Sequence, residues 1–288
     1  MLALVMICST VAADEPLKYS VDDLTLKYKL VFTMNRTSDG DKSAVETTTG
    51  WLTWRQKRDG DDAAVTVTVD RVTVKTDGMY GFKDNWKRNT TAADSNDRKA
   101  SNAASISQHT AAKFMAGKTL RFRLKANGEI EKIAPAPALK VSIDDGKNAK
   151  LYFGLGHFRA ILSDAANEQT LAVLLPQFPA KVVKVGGRWT GEKRQLERHG
   201  LVKRTFVLRS LGDSAELDFD FKVSPPVREN KALEDERAYE SSIGNAEFEA
   251  ERGIVKRSSL TIEYKKRSPK RNADWTSLKI EAMLALVK

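Results

Sequence analysis

The chain has little cysteine, little histidine and no long apolar run after its first residues, and each shortage excludes a class of protein. Its one cysteine, Cys8, lies in the N-terminal apolar stretch, which excludes disulfides, thiol catalysis and zinc-thiolate sites from residues 14–288. His109, His157 and His199 stand apart, with no HxH or HExxH spacing, so ordinary histidines are favoured over a metal site. No later stretch offers the ~20 apolar residues of a transmembrane helix, so we expect a chain that does not span a membrane.

Sequence signatures of catalysis are also missing. There is no Gly-x-Ser-x-Gly turn for a serine nucleophile. Gly154-Leu155-Gly156 lacks the third glycine and the strand-to-helix context of a dinucleotide-binding loop. We therefore predict no catalytic residue, no cofactor and no metal ion, and a hydrolase ranks only third among the functions that we consider.

The first thirteen residues, MLALVMICSTVAA, are uncharged and mostly apolar, and they end in small residues before Asp14-Glu15. This pattern predicts a secretory signal peptide cleaved near Ala13, and hence a secreted or periplasmic protein. No Lys or Arg precedes the apolar run, so the position of the true start codon stays open. Cleavage is favoured over lipid anchoring at Cys8, because the preceding Val5-Met6-Ile7 lacks the small residue that acylation motifs place next to the cysteine.

Alternating apolar residues predict a mostly β (α+β) protein in which residues 14–140 and 183–288 form two antiparallel β parts. Residues 141–182 form a predicted helical insertion between them, because leucines recur there at three- and four-residue steps until Pro176 and Pro179. Residues 84–104 are polar and predict a long surface loop, followed by a short helix over 106–115. TLRFRLKANGEIEKI and NAEFEAERGIVKRSS share a strand–glycine turn–strand layout, which hints at two related halves. We expect a curved antiparallel sheet or incomplete barrel.

Positive charge exceeds negative charge, with 48 Lys and Arg against 38 Asp and Glu. Such a surface attracts anionic partners, and for an exported protein an anionic lipid headgroup or polysaccharide is favoured over nucleic acid. The densest cluster contains Lys265, Lys266, Arg267, Lys270 and Arg271. Its simplest interpretation is a solvated turn between strands, and the sharper alternative is a contact site for an anionic headgroup or polysaccharide.

Five tryptophans could line a ligand cavity, but four of them lie near predicted strand starts. Those four, Trp51, Trp54, Trp189 and Trp275, are predicted to fill the ends of a sheet core. Trp86 lies in the polar stretch and is the tryptophan that we expect to contact a ligand.

The order of these segments resembles a family of secreted or lipid-anchored bacterial proteins classed as a domain of unknown function. The resemblance is carried by LRFRLKANGEIEKI, by LLPQFPAKVVKVGGRWT and by the closing hairpin AEFEAERGIVKRSSLTIEY, and it extends over about residues 19–287. It implies a β-rich extracytoplasmic protein and no catalytic residues. Gly186-Gly187-Arg188-Trp189 departs from the family's usual Gly-Asp or Gly-Glu before the tryptophan.

These observations favour a non-catalytic binding protein of the cell envelope for a lipid, a glycan or an envelope protein. The alternative is a structural or assembly module without a small-molecule ligand. The two differ in the interior, because a carrier needs an apolar space that its own side chains do not fill, whereas a structural module packs its aromatic residues shut.

Overall fold

The computed structural model describes residues 15–38, 42–80, 87–98, 106–132, 171–191, 194–196, 200–224, 236–267 and 276–287. Thirteen described strands form one large antiparallel sheet that is not closed into a barrel. This confirms the predicted mostly β fold with a curved antiparallel sheet. The predicted division at residues 140 and 182 stays a prediction.

The strands follow the alternation of the sequence, and two short helices interrupt them. In chain order they are β1 (Leu24–Ser38), β2 (Lys42–Asp59), β3 (Asp62–Tyr80), β4 (Lys87–Asp94), α1 (Ile106–Met115), β5 (Thr119–Lys125), β6 (Ile130–Lys132), α2 (Leu171–Leu174), β7 (Arg188–Thr190), β8 (Arg194–Leu196), β9 (Gly200–Leu211), β10 (Ala215–Ser224), β11 (Glu236–Glu249), β12 (Ile254–Arg267) and β13 (Thr276–Leu286).

The sheet places the first and last described strands beside each other at its centre. The strand order is β6-β5-β3-β2-β1-β13-β12-β11-β10-β9-β7, with β4 on β3 and β8 on β9. Tyr28 pairs with Leu286, and Thr37 pairs with Ser277, so the β1–β13 seam runs along most of both strands. Each side of this seam is a series of neighbouring antiparallel strands.

One face of the sheet, which we call the inner face, carries nearly all of the buried side chains. On β1 the even-numbered residues from Leu26 to Met34 are buried, while Lys27 and Asn35 are exposed. On β3 the buried positions change from odd to even between Val69 and Val72. The pairing with β2 shifts register there, so a β-bulge keeps both halves of β3 facing inward. The buried residues of all the large strands join in one hydrophobic cluster, so the inner face is the core of the protein.

Most local predictions are confirmed. The hairpin at Arg58–Asp62 turns through Gly60 at φ +66°, and Asn127-Gly128 turns through Gly128 at φ +84°. The helix over 106–115 has the predicted bounds. Of the predicted helical insertion, α2 ends at Leu174, just before Pro176 as predicted, and residues 133–170 lie outside the described part of the chain.

Two local predictions are wrong. The predicted loop over 84–104 contains β4, which pairs with β3 from Thr73–Asp94 to Tyr80–Lys87. Thr91 faces inward in β4 although it is polar, and its hydroxyl makes hydrogen bonds there. This stretch of sequence therefore lacks the apolar alternation that would have predicted a strand. Trp51 was predicted to fill the core, but it lies half-buried on the outer face, whereas Trp54 and Trp189 are buried as predicted.

Candidate functional site

One end of the inner face is closed by a segment that we call the strap, residues 171–191. Phe178 of the strap packs against Phe248 of β11 with ring centroids 4.6 Å apart, and Tyr19 lies 5.1 Å from Phe248 and 5.7 Å from Phe178. All three residues are buried. Since edge-to-face and tilted ring pairs at this spacing are stabilising, these aromatic residues seal this end of the sheet.

Hydrogen bonds tie the strap to both edges of the sheet. The amide of Phe178 donates to the carbonyl of Asn127 in the β5–β6 turn at 2.8 Å, and the Tyr19 hydroxyl donates to the carbonyl of Pro176 at 3.0 Å. On the other edge, Arg204 Nη1 of β9 donates to the carbonyl of Leu175 at 2.9 Å. The strap therefore bridges β5 and β9, which lie far apart in the strand order.

The tyrosine hydroxyls of this region are held in their neutral form. Burial raises the pKa of Tyr19 well above its ordinary value, and it also raises the pKa of Tyr28. The Tyr28 hydroxyl donates to the carbonyl of Val255 at 2.9 Å. Both groups act as structural hydrogen-bond donors.

A cleft of about 230 Å³ opens beside the strap. Its apolar lining residues are Phe178, Pro179, Ala180 and Trp189, and the rest of its lining is Asn127, Glu129, Gln177, Thr190 and Gly191. Trp189 stacks on Phe206 at 5.6 Å, and its indole Nε1 donates to the carbonyl of Gln177 at 2.6 Å. The indole of Trp189 is therefore engaged in contacts with β9 and with another part of the strap.

Away from the strap, polar side chains enter the inner face beneath α1. Thr91 donates to Gln108 Oε1 at 2.6 Å, Gln108 Nε2 reaches Thr76 Oγ1 at 3.4 Å, and Thr76 and Thr91 bond to each other across the β3–β4 pair. Glu46 is buried on β2 at the position paired with Thr76. His109 is buried on α1, and within the described part of the chain neither of its ring nitrogens has a hydrogen-bond partner.

Next to Glu46 the inner face becomes apolar again, in a row that we call the apolar row: Met34, Ile280 and Ile262. Met34 pairs with Glu46 and with Ile280, and Ile280 pairs with Ile262. Ile262 and Ile280 are only partly buried, and they pack against the edge of the core cluster. The apolar row is therefore a partly buried hydrophobic layer toward the ends of β1, β12 and β13 that lie away from Tyr19 and Phe248. We call these strand ends, within the described part of the chain, the open end.

β1 and β13 continue beyond the apolar row by four residues, and β12 continues by five. At the open end, Arg36 pairs with Ala44 and Leu278, Lys266 pairs with Arg237 and Thr276, Lys42 pairs with Ser38, and Lys87 pairs with Tyr80. By alternation from Met34, Arg36 is an inner-face position of β1, and it is exposed.

The structure separates the residues of the predicted anion-binding cluster. Trp86, Lys270 and Arg271 lie outside the described residues. Lys265, Lys266 and Arg267 are the last residues of β12, paired with Ala238, Arg237 and Glu236.

The outer face is polar, and many of its charges are paired. Lys27 Nζ lies 3.1 Å from Asp70 Oδ2. Arg71 bonds to Asp94 through its guanidinium and lies 4.6 Å above the Trp51 ring, which also faces Lys29 at 5.9 Å. The Arg71 hydrogen bonds lower the pKa of Asp94. This face has the chemistry of a solvated surface.

Sequence reasoning missed Arg36, Lys42, Lys87, Arg237, Arg204 and Glu46. Arg36, Lys42, Lys87 and Arg237 come from four separate strands, so no stretch of sequence groups them. Arg204 had a detectable signal, since it occupies an inward position of a strand whose next inward residues are Phe206 and Leu208. A charged residue at a core position predicts a buried structural contact.

The described residues contain no group of three or more His, Cys, Asp or Glu side chains that could hold a metal ion. Among the helices in the described ranges, none is long and apolar enough to cross a membrane.

Comparison with known proteins gives no relative in sequence, because no family model and no curated protein matches the chain. Among solved structures, the chain is similar to one described as "Lipid-protein interactions in lipovitellin", with a TM-score of 0.46 and 12% identity over 94% of this chain. The match covers 25% of that chain, so this chain spans about a quarter of its length. A likeness of this size does not indicate what this chain binds.

Proposed function

We propose that the chain is an exported, non-catalytic binding protein that holds a lipid or similar lipophilic molecule against the inner face at the open end. The observation that carries this proposal is the apolar row, in which Ile262 and Ile280 are only partly buried although they face the core side of the sheet. Covering such surface with an apolar chain is favourable by about 25 cal/mol per Å².

The two ends of the inner face differ in a way that supports entry from the open end. The strap end is filled by Tyr19, Phe178 and Phe248 and is tied to both sheet edges. At the open end the strands extend past the last buried layer. An elongated ligand would therefore lie along the strands, with its apolar part directed toward the strap.

A lipid is favoured over a glycan because the partly covered residues are aliphatic. Sugar sites place polar groups and exposed aromatic rings against the ligand, whereas Ile262 and Ile280 offer neither. Trp189 and Phe178, which border the cleft beside the strap, are at most 9% exposed. The cleft therefore offers little aromatic surface for a sugar ring.

The second candidate is a structural module without a small-molecule ligand. It is favoured by the close aromatic packing at the strap end, where Trp189 stacks on Phe206 and Phe219 packs against Phe206 with tilted rings. A module of this kind would have no extractable ligand and would bind through its surface.

Native mass spectrometry of the chain purified from a bacterial periplasm tests the proposal, before and after organic extraction. We expect an added mass that extraction removes, and an N-terminus at Asp14 after signal cleavage. Ile262→Gln reduces occupancy, because it places an amide in the apolar row. Ile243→Gln is the matched control, since Ile243 is 67% exposed on the outer face of β11. A bare sequence mass for the native protein in both samples would contradict ligand binding and favour the structural module.

A further inference from the structure

The strap carries exposed apolar side chains next to charges of one sign. Residues 171–191 contain Lys181, Lys184 and Arg188 and no Asp or Glu. Between these cations, Val182 is 39% exposed and Val185 is 41% exposed. They are two of the four large apolar side chains that are exposed within the described part of the chain. We call residues 181–188 the strap loop.

The strap loop is held in one shape by its own contacts. Val183 packs against the core cluster, and the amide of Gly187 donates to the carbonyl of Lys184 at 2.8 Å, which closes a tight turn. Gly186 adopts φ +82° in this turn. A Cβ on Gly187 would lie 2.7 Å from both Lys184 O and Val183 Cγ1. Because Val183 is the valine that packs inward, the fold leaves the other two valines of the loop exposed to water.

The cations of the strap loop are all exposed, and in the ranges that the structure describes none of them has a salt-bridge partner. By contrast, Arg209 Nε on the neighbouring strand β9 lies 2.5 Å from Asp218 Oδ2. Glu129 is the acid that lines the cleft beside the strap, and it lies 3.1 Å from Lys125 Nζ. Nearby acids are therefore paired with other cations, and the strap loop keeps its positive charge.

Exposed apolar side chains flanked by lysine and arginine are typical of segments that bind at a membrane interface. We propose that the strap loop docks the protein on a bilayer surface that contains anionic phospholipid. Val182 and Val185 enter the headgroup region, and Lys181, Lys184 and Arg188 contact the lipid phosphates. This docking surface lies on the strap, so the inference is independent of the lipophilic ligand proposed for the open end.

A bilayer fits the strap loop better than a protein or a soluble polyanion does. A stable protein–protein contact involves about 20–30 residues on each side, whereas the strap loop is one short turn. A polysaccharide binds the cations but leaves Val182 and Val185 in water, whereas the interface of a bilayer covers both side chains. The two valines therefore favour a membrane surface.

Cosedimentation of the full chain with lipid vesicles tests the docking. One set of vesicles contains phosphatidylcholine alone, and the other contains two parts of phosphatidylcholine to one part of phosphatidylglycerol. At physiological salt we expect the native protein to bind the anionic vesicles and not the neutral ones. Binding should weaken at high salt, because exposed charges are screened there.

Two double variants locate the electrostatic contribution, and each removes two positive charges. Lys181→Ser with Lys184→Ser should weaken binding ~25-fold, because each cation at an anionic membrane surface contributes about fivefold. Lys75→Ser with Lys222→Ser is the matched control, since both lysines are exposed and lie on β3 and β10. The control should weaken binding by no more than about twofold, because salt screens charges far from the bilayer. Circular dichroism confirms that each variant is folded.

Val182→Ser with Val185→Ser tests the apolar contribution and leaves the charge unchanged. About two fifths of each valine is exposed, and losing the transfer of that surface out of water should weaken binding roughly tenfold. Ile243 is 67% exposed on β11, so Ile243→Ser is the control and should bind like the native protein.

A fluorescent label shows which part of the chain meets the bilayer. The one cysteine of the chain is Cys8, so in a Cys8→Ser background the variants Val185→Cys and Ile243→Cys each accept a label at a single position. The label is a nitrobenzoxadiazole dye, whose emission rises when it leaves water. On anionic vesicles we expect a rise for the label at position 185 and none for the label at position 243.

The docking assignment is wrong if the native protein binds neither set of vesicles, or if the label at position 185 stays in water. It is also wrong if the control pair loses as much binding as the strap pair. Binding to dextran sulfate that requires Lys181 and Lys184, without binding to vesicles, would identify a soluble polyanion as the partner and overturn the membrane assignment. None of these results changes the added mass expected in native mass spectrometry, so the proposed ligand at the open end is tested separately.

Discussion

Gly244 lies in β11 directly opposite Phe219 of β10, and the Phe219 ring covers it. A Cβ at this position would lie 2.2 Å from Cε2 and Cζ of Phe219, far inside contact distance. The ring has little room to move, because Phe219 is buried and lies 5.6 Å from Phe206, which in turn stacks on Trp189. Gly244→Ala therefore forces a shift along three packed rings.

The expected loss of stability follows from two opposing effects. Overpacking a filled core lowers the free energy of unfolding by about 1–3 kcal/mol, and replacing a strand glycine with alanine returns about 0.5–1 kcal/mol. We expect a net loss of roughly 1–2 kcal/mol. Urea denaturation followed by tryptophan fluorescence measures it as a lower midpoint with an unchanged slope.

Gly212→Ala is the control, because a Cβ there meets nothing within 4 Å. A second variant, Phe219→Leu, makes room at the ring and is expected to reduce the penalty of Gly244→Ala in a double-mutant cycle. If Gly244→Ala is as stable as Gly212→Ala, the close contact between Gly244 and the Phe219 ring is refuted.

Three further predictions follow from the hydrogen bonds and pKa shifts. Tyr19→Phe and Tyr28→Phe each remove a buried hydrogen bond and are expected to lower the free energy of unfolding by about 0.5–1.5 kcal/mol. Only Tyr19→Phe should speed tryptic cleavage of the strap at Lys181 and Lys184, because only Tyr19 bonds to the strap. Equal cleavage rates for the two variants would argue against that role of Tyr19. Arg71 lowers the pKa of Asp94 in the folded state. The ionised carboxylate therefore stabilises the fold above its unfolded pKa of about 3.9, and this stabilisation is lost as the pH falls through the folded pKa. When the free energy of unfolding is measured against pH, Asp94→Asn should show a smaller loss in acid than the native protein, and an identical loss would contradict the ion pair. The raised pKa of Tyr19 and Tyr28 contributes stability that is present below about pH 10 and is lost as the pH rises through the folded pKa values. Absorbance at 295 nm should therefore show that these two tyrosines ionise only when the protein unfolds.

The alternation of apolar and polar residues predicted most strands correctly, because the apolar residues of a half-buried strand are the ones that face the core. The phase change in β3 was visible in the sequence as the three-residue step from Val69 to Val72, which is the β-bulge opposite Trp51–Leu52. β4 was missed because Thr91 faces inward as a polar residue, and its hydrogen bonds to Thr76 and Gln108 replace apolar burial. A binary pattern cannot distinguish a satisfied polar core residue from a surface residue.

Neither the strand order nor the candidate site could be predicted from the sequence. Pairing between β1 and β13 joins residues more than two hundred positions apart, and no local pattern encodes such a partner. The predicted basic cluster contained Lys266 but grouped it with neighbours in the chain. Lys266 instead pairs in register with Arg237 of β11 and Thr276 of β13, so only the strand pairing brings these positions together.

Because β1 pairs with β13, the centre of the sheet cannot form until β13 has been synthesised. About 250 residues separate the end of β1 at Ser38 from the end of β13 at Leu286. At ~5–20 residues per second, roughly 12–50 s pass before β1 can find its second partner. Throughout that time β1 presents an unpaired edge, and such edges promote aggregation. We therefore expect the free edge of β1 to be the part of the growing sheet through which nascent chains associate until β13 pairs with it.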